Sequence, residues 1–372
     1  MTRYTINEIA RALGAEAAGD LTLEVTSVNE PKIAGADELA LAMDETYTEA
    51  VKNSAARAAI LWAGADWQAL GLKAAIFAPR SRYVLSGVTQ VFEKKTEIAA
   101  GIHPTSVVDP SAKIGANPAI GPFVVIGAGA QLGDNVRIAS HVSVAEGAII
   151  GDNALLHSGV RIGARVDIGD DFIAQPNAVV GGDGFSYVTP QPGAIEEARK
   201  SGTISSSSQT PGFARINSLG TVIIGDRVEL GAACVVDRGT IANTVIGNGS
   251  KLDSHVLIGH NVIVGENCLM CGQAGVGGSS IVGDRVILGG KCGVADHVTI
   301  GSDVIAAGKA GISSNVPPKR VIMGNPAVKM ETNIESYKAI RRLPRLVKKV
   351  AALEAALNSV LEKAIFNDEG NR

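Results

Sequence analysis

The stretch LDSHVLIGHNVIVG, residues 252–265, carries two of the chain's six histidines, His255 and His260, and another, His297, stands in ADHVTI. Imidazole is the usual general base near neutral pH and the commonest metal ligand. The grouping therefore admits two chemistries, proton abstraction by one ring or a metal held by several. Cys268 and Cys271 add a C-x-x-C pair, but no second pair accompanies them, and a cytosolic setting disfavours disulfides. Cys234, Cys268 and Cys292 share one repeat position that calls for a small buried side chain, so they read as packing residues.

That repeat is the scaffold the histidines stand on. Counting in sixes from Ile102, an aliphatic or small residue recurs without a break to Val180, and a second series runs from Ile246 to Ile312. The next position is usually glycine or another small residue, and the fifth is small or β-branched. A hexad period this long marks a parallel β-helix. Its form resembles the left-handed kind, in which three hexads make one triangular coil and coils stack about 4.8 Å apart. The frame breaks over residues 183–219, where Pro, Gly and a Ser run leave the coil, and again between Val236 and Ile246, whose separation is neither one hexad nor two. Insertions in solenoids gather on one face, often the binding face.

Other periods flank the hexads. TINEIARALG has helical spacing, with Thr5 as N-cap and Glu8 completing a capping box. AAILWAG and KAAIFAPR read as short buried strands, and YVLSGVTQVFEK as a helix. PPKRVIMGNPAVKM is expected to close the prism. Beyond it, Leu343, Leu346, Val350, Leu353, Leu357 and Val360 alternate by three and four, an a/d seam that wants a partner helix. Pro344 falls inside that run and predicts a kink or a fresh helix start. The fold class expected is mainly β: a left-handed parallel β-helix of hexapeptide repeats over 101–330 with an inserted loop at 183–219. An N-terminal α/β domain over 1–100 precedes it and a C-terminal α-helical extension over 331–372 follows. β-Helices of this type commonly trimerise, which would unite three seams in a bundle.

Composition sets bounds on function. A formal charge of −3 gives a nucleic-acid partner no overall electrostatic support. Forty-four glycines with only 4% aromatic residues suit small side chains stacked in a narrow core. No apolar run approaches the length of about 18 residues that a membrane-spanning helix needs. The N-terminus has no signal-type apolar region, so the expectation is no membrane span and a cytoplasmic location.

If one coil takes three hexads, positions three hexads apart lie above one another. Gly278 then stands one rung from His260, and His297 stands two coils plus one residue away. The three line one edge of the prism over roughly 10 Å. A base beside a glycine N–H able to receive a tetrahedral oxyanion suits acyl transfer from a thioester to an amine or alcohol. Asp253, just over one hexad before His260, is expected to accept the other ring proton. Such transfer requires no metal or redox cofactor. The metal alternative stays open beside it. Gamma-class carbonic anhydrases use a similar coil, and His255-x4-His260 matches part of their three-histidine zinc site, but the third histidine should precede the pair by about two coils, where Leu219 and its neighbours offer none.

With all regions placed, the chain resembles the UDP-3-O-(3-hydroxyacyl)glucosamine N-acyltransferases of lipid A biosynthesis over nearly its whole length. The specific stretches are VGGDGFSY (180–187), VIIGDRVELGA with VDRGTIANTVIGNG (222–249), LDSHVLIGHNVIVG and GNPA (324–327). The DGF-Y and DRG stretches separate it from the sister O-acyltransferases, a rival reading. The resemblance implies transfer of a 3-hydroxyacyl chain from acyl carrier protein to the C2 amine of UDP-3-O-acylglucosamine by a homotrimer. It implies His260 as base, His297 as second active-site histidine, Asp253 as acidic partner and Gly278 as oxyanion amide, with no role for His255. The family holds uracil with an F-x-x-N-P-x-Y motif. Here LAMDETY (41–47) keeps Tyr47, with Leu41, Asp44 and Glu45 in place of Phe, Asn and Pro. Tyr47, Asp44 and Asn261 are the expected substrate-binding residues. Lys338, Arg341, Arg342, Arg345, Lys348 and Lys349 form a basic run suited to docking an acidic carrier protein.

Overall fold

A computed structural model describes residues 2–369 except 79, 95, 192, 206–211, 325 and 326. Part of the 190–212 loop and the Asn325–Pro326 centre of the GNPA stretch therefore lie outside the described residues. The chain forms two compact units, residues 1–97 and 98–372.

In the first unit a five-stranded sheet runs in the order Glu16–Gly19, Ala74–Ala78, Ala58–Trp62, Glu38–Ala42, Ser27–Asn29. Only the Glu16–Gly19 pairing is antiparallel. Side chains alternate across it. Ile60 and Ile76 face helices Ile6–Leu13 and Ser81–Val91, while Leu61 and Ala75 face a second core with Leu70 and Val51. The first helix begins where its sequence says it should. Thr5 Oγ1 accepts from the Glu8 N–H, and the Glu8 carboxylate accepts from the Thr5 N–H.

The second unit is a left-handed parallel β-helix with three flat faces. The first face stacks eleven strands from Gly101–Ile102 to Val321–Ile322, the second ten from Val107–Val108 to Gly311–Ile312, and the third nine from Lys113–Ile114 to Thr299–Ile300. Each strand pairs with the one three hexads on, as in Lys113↔Gln131 and Ile114↔Leu132. The aliphatic first residues and the small fifth residues fill the prism from Ile120 through Ile312. Cys234, Cys268 and Cys292 are among them, and burial pushes the Cys234 thiol up to about 12. The packing reading of these cysteines holds. At the corners the fourth hexad residue turns the chain with positive φ, Asn153 at 60° and His255 at 61° for example.

A helix spans Met330–Glu369. The expected restart at Pro344 does not occur, because Pro344 lies inside this continuous helix. The missing N–H releases only the carbonyl of Ile340, an exposed residue whose backbone water can satisfy. The seam residues Leu343, Leu346, Val350, Leu353, Leu357 and Val360 are all solvent-exposed in the single chain. No helix among the described residues is long and apolar enough to cross a membrane.

Candidate active site

Both breaks in the hexad frame open at the same corner, where the second face passes to the third. The strand Val179–Asp183 ends there before the chain departs and returns at Val222–Ile224, and Val235–Arg238 ends there before the extra residues that lead to Thr244–Ile246. The coil containing the second break is longer than three hexads, with Val236 paired to Ile258 and Ile224 to Ile246. Directly above it, strand Leu257–Ile258 delivers His260. The next rungs, Gly275–Val276 and Gly293–Val294, deliver Gly278 and His297. The three residues thus share one edge, as the coil arithmetic requires. His297 occupies the turn position beyond Asp296, is exposed, and donates its backbone N–H to the Gly278 carbonyl at 3.0 Å.

The His260 ring is held by what its neighbours lack. A Cβ at Gly278 would stand 2.7 Å from Nε2, and one at Gly184 would stand 2.5 Å from the His260 Cβ. The imidazole therefore packs between two glycines, one on the rung above and one at the root of the inserted loop. Gly184 is fixed in turn, since its N–H donates to Ser218 Oγ at 3.0 Å.

Asn261 decides the protonation pattern. Its Nδ2 donates to the Ala242 carbonyl at 2.8 Å, and its Oδ1 accepts the Thr240 N–H at 3.0 Å. A carbonyl can only accept and an amide N–H can only donate, so the side chain cannot be flipped. The same Oδ1 lies 3.0 Å from His260 Nδ1. Nδ1 must carry a proton, so in the neutral ring the lone pair sits on Nε2, over Gly278.

Asp253 is a correction. It follows a strand of the first face, so it occupies the preceding corner, and its carboxylate accepts from the Ser254 N–H at 2.7 Å and the Gly272 N–H at 2.8 Å. The residues between it and His260 carry the chain along a whole side of the prism, and the pairing with His260 within one chain is not formed. The role of tautomer anchor passes to Asn261. His255 also stands at Asp253's corner, so the H-x4-H pair is split between two edges. Among the described residues no three His, Cys, Asp or Glu groups come together in a way that could hold a metal.

Two neighbours escaped the sequence reading. Gly184 is visible there only as part of the DGF stretch. Asp237 fills the second hexad position of its coil, which is Gly163, Gly259 and Gly277 in neighbouring coils at this corner. It pairs with Gly182 across the strand below. Burial pushes its carboxyl up to about 6, against the pull of His260 and helped by repulsion from Asp183. The adjoining Arg238 is 7% exposed; its Nε donates to the Gly181 carbonyl at 2.8 Å and its Nη2 to the Ala164 carbonyl at 3.1 Å, clamping the loop root. Asp183 pairs with Arg215 at 2.8 Å.

In the first unit, Tyr47 is 44% exposed, and the Asp44 carboxylate caps its own turn by accepting from the Thr46 N–H and hydroxyl, which hold it below the usual carboxylate range. Leu41 packs inward against the core. On the terminal helix Arg341 lies over the Tyr337 ring, 5.8 Å from its centroid, and Arg342, Arg345 and Lys348 are exposed.

The chain is similar to several known proteins. A family model described as the GMPPB C-terminal domain matches residues 102–185, a run of coils alone. A solved Arabidopsis UDP-N-acetylglucosamine acyltransferase aligns over 60% of this chain and 71% of its own, with a TM-score of 0.50 and 22% identity, which establishes the likeness of fold. The coil places the chain among the hexad-repeat left-handed β-helix proteins. The UDP-3-O-acylglucosamine N-acyltransferase of Ruegeria pomeroyi is 62% identical over 355 residues, 95% of this chain and 98% of that one. The enzyme of that name from Paracoccus denitrificans is 54% identical over 96% of this chain and 98% of its own. One from Francisella tularensis is 37% identical over 96% and 99%. The chain belongs to the UDP-3-O-acylglucosamine N-acyltransferase family.

Proposed function

We propose that this acyltransferase moves a 3-hydroxyacyl chain from acyl carrier protein to the C2 amine of UDP-3-O-acylglucosamine, a cytoplasmic step of lipid A biosynthesis. The observation that carries the reading is the fixed tautomer of His260, with an unprotonated Nε2 lying over a glycine at the edge where the hexad frame opens. The amine nitrogen attacks the thioester carbonyl while Nε2 takes one of its protons. The developing oxyanion is received by the Gly278 N–H. Collapse of the tetrahedral intermediate breaks the C–S bond, and the imidazolium returns the proton to the departing sulfur, giving amide and carrier thiol. His297, about two rungs along the same edge, assists in holding the extended donor.

The exposed aliphatic seam of the terminal helix supports a homotrimer whose three helices bundle. The run from Arg341 through Arg342 and Arg345 to Lys348 supports docking of an acidic carrier. In the first unit, Tyr47 supplies an exposed ring for uracil, while Asp44 supports the turn that presents it.

The test is acyl transfer by His260→Ala with UDP-3-O-acylglucosamine and a 3-hydroxyacyl carrier protein. Turnover should fall by roughly 10²–10⁴-fold with secondary structure unchanged. Near-normal turnover in a correctly folded variant would overturn the assignment.

A further inference from the structure

We infer that Asp237 is the residue that selects an amine over a hydroxyl as the acyl acceptor, by receiving the second N–H of the attacking nitrogen. The inference rests on the proposed transfer reaction and adds a determinant to it. It starts from a misfit in the repeat. At this corner the second hexad position is Gly127, Ala145 and Gly163 in coils below, and Gly259, Gly277 and Ala295 above. Asp237 alone in that span puts a carboxylate there, on the rung immediately beneath His260. Gly259 lies directly over it, so Asp237 and His260 stand on adjacent rungs of one edge.

Among the described residues, no hydrogen bond reaches the Asp237 side chain, although it is half-buried. The groups around it are His260 above, Asp183 on the paired strand below, Arg238 beside it and Arg215 beyond Asp183. Arg238 Nε lies 3.9 Å from Asp183 and spends its donors on carbonyls, so it does not neutralise Asp237. Its oxygens remain accessible at the open corner, so a ligand bound there can supply the donor that no described residue gives.

Stereochemistry says which ligand. A primary amine presents two N–H groups and one lone pair. Attack sends the lone pair to the thioester carbon and one proton to His260 Nε2, so the other N–H needs a second acceptor. A hydroxyl has one proton and would turn a lone pair toward the same carboxylate, which repels it.

The experiment compares Asp237→Asn with wild type on two acceptors, UDP-3-O-acylglucosamine and its 2-hydroxy counterpart UDP-3-O-acylglucose, each across pH 5 to 8. The variant should lose about 10- to 100-fold in kcat/KM for the amine, a range set by one charge-assisted hydrogen bond. It should lose nothing for the hydroxyl acceptor, and its acid limb for amine transfer should become shallower because the Asp237 protonation near pH 6 is gone. An unchanged amine-to-hydroxyl ratio and acid limb would overturn the inference. Where wild type N-acylates the sugar and His260→Ala does not, that result removes the Asp237 role alone. A wild type that does not acylate the amine removes the proposed reaction and this inference with it.

Discussion

Two corners of the same prism use polar residues in opposite ways. Where the third face passes to the first, a ladder of side chains closes each rung onto the next. The Ala116 N–H donates to Asp134 Oδ1, Asp134 N–H to Asp152 Oδ1, and Asp152 N–H to Asp170 Oδ1, each at 2.7 Å. The ladder continues through Asp226, Asn248, Asp284 and Ser302. Each aspartate in it is occupied by a backbone N–H of the rung beneath. Where the second face passes to the third, insertions interrupt the stack, and the polar groups turn outward or toward one another. Asn261 grips its neighbouring ring, and Asp237 receives no donor among the described residues. A carboxylate at a coil corner is thus structural when its rung is regular, and available for chemistry when the rung has been opened.

Three substitutions, two of them paired with a control variant, sharpen that contrast. Gly278→Ala should have the largest effect, since the added methyl would lie 2.7 Å from His260 Nε2 and the ring must swing away. A displacement of about 1 Å costs on the order of 10²-fold in kcat/KM. Gly275→Ala, earlier on the same rung, meets nothing within 4 Å and should keep wild-type kinetics. Equal losses in the two would remove the ring-packing account. Asn261→Leu comes next. It cannot accept the Nδ1 proton, and kcat should fall on the order of 10- to 100-fold, the scale for groups that orient a functional imidazole. Nitrogen NMR of His260 should lose the single Nδ1–H tautomer, and Asn261→Asp, which keeps an acceptor oxygen, should restore part of the rate. Retention of that tautomer in the leucine variant would argue against Asn261 as its anchor. The smallest effect belongs to the regular corner. Asp152→Ala removes one acceptor for a backbone N–H and should lower unfolding free energy by about 1 kcal/mol, read by denaturant titration, with turnover per folded molecule unchanged. A loss of turnover there would erase the distinction between the corners.

The parts of this architecture that depend on local spacing are readable from residues alone. The Thr5–Glu8 capping box involves groups one helical turn apart, and the hexad period by itself places His260, Gly278 and His297 on one edge. Sequence misleads where distance along the chain stops reporting distance in space. Nearness in the chain pairs Asp253 with His260, yet one side of the prism separates their corners. Asp237 and Gly184 reach the ring only because an enlarged coil and a long excursion return the chain to the same edge, and no fixed period predicts such a return. Pro344 starts no fresh helix, because proline's cost depends on whether the released carbonyl faces water, which the residue type does not report.

The amide behind His260 has a consequence for the charge of the ring. In triads where a carboxylate backs the imidazole, the positive ring gains a full counter-charge and holds its proton tightly. Asn261 is neutral, so the ring it orients is steadied in direction while its acquired charge is left uncompensated from that side. The neutral amide thus fixes which ring nitrogen faces the acceptor amine without placing a counter-charge of its own behind the ring.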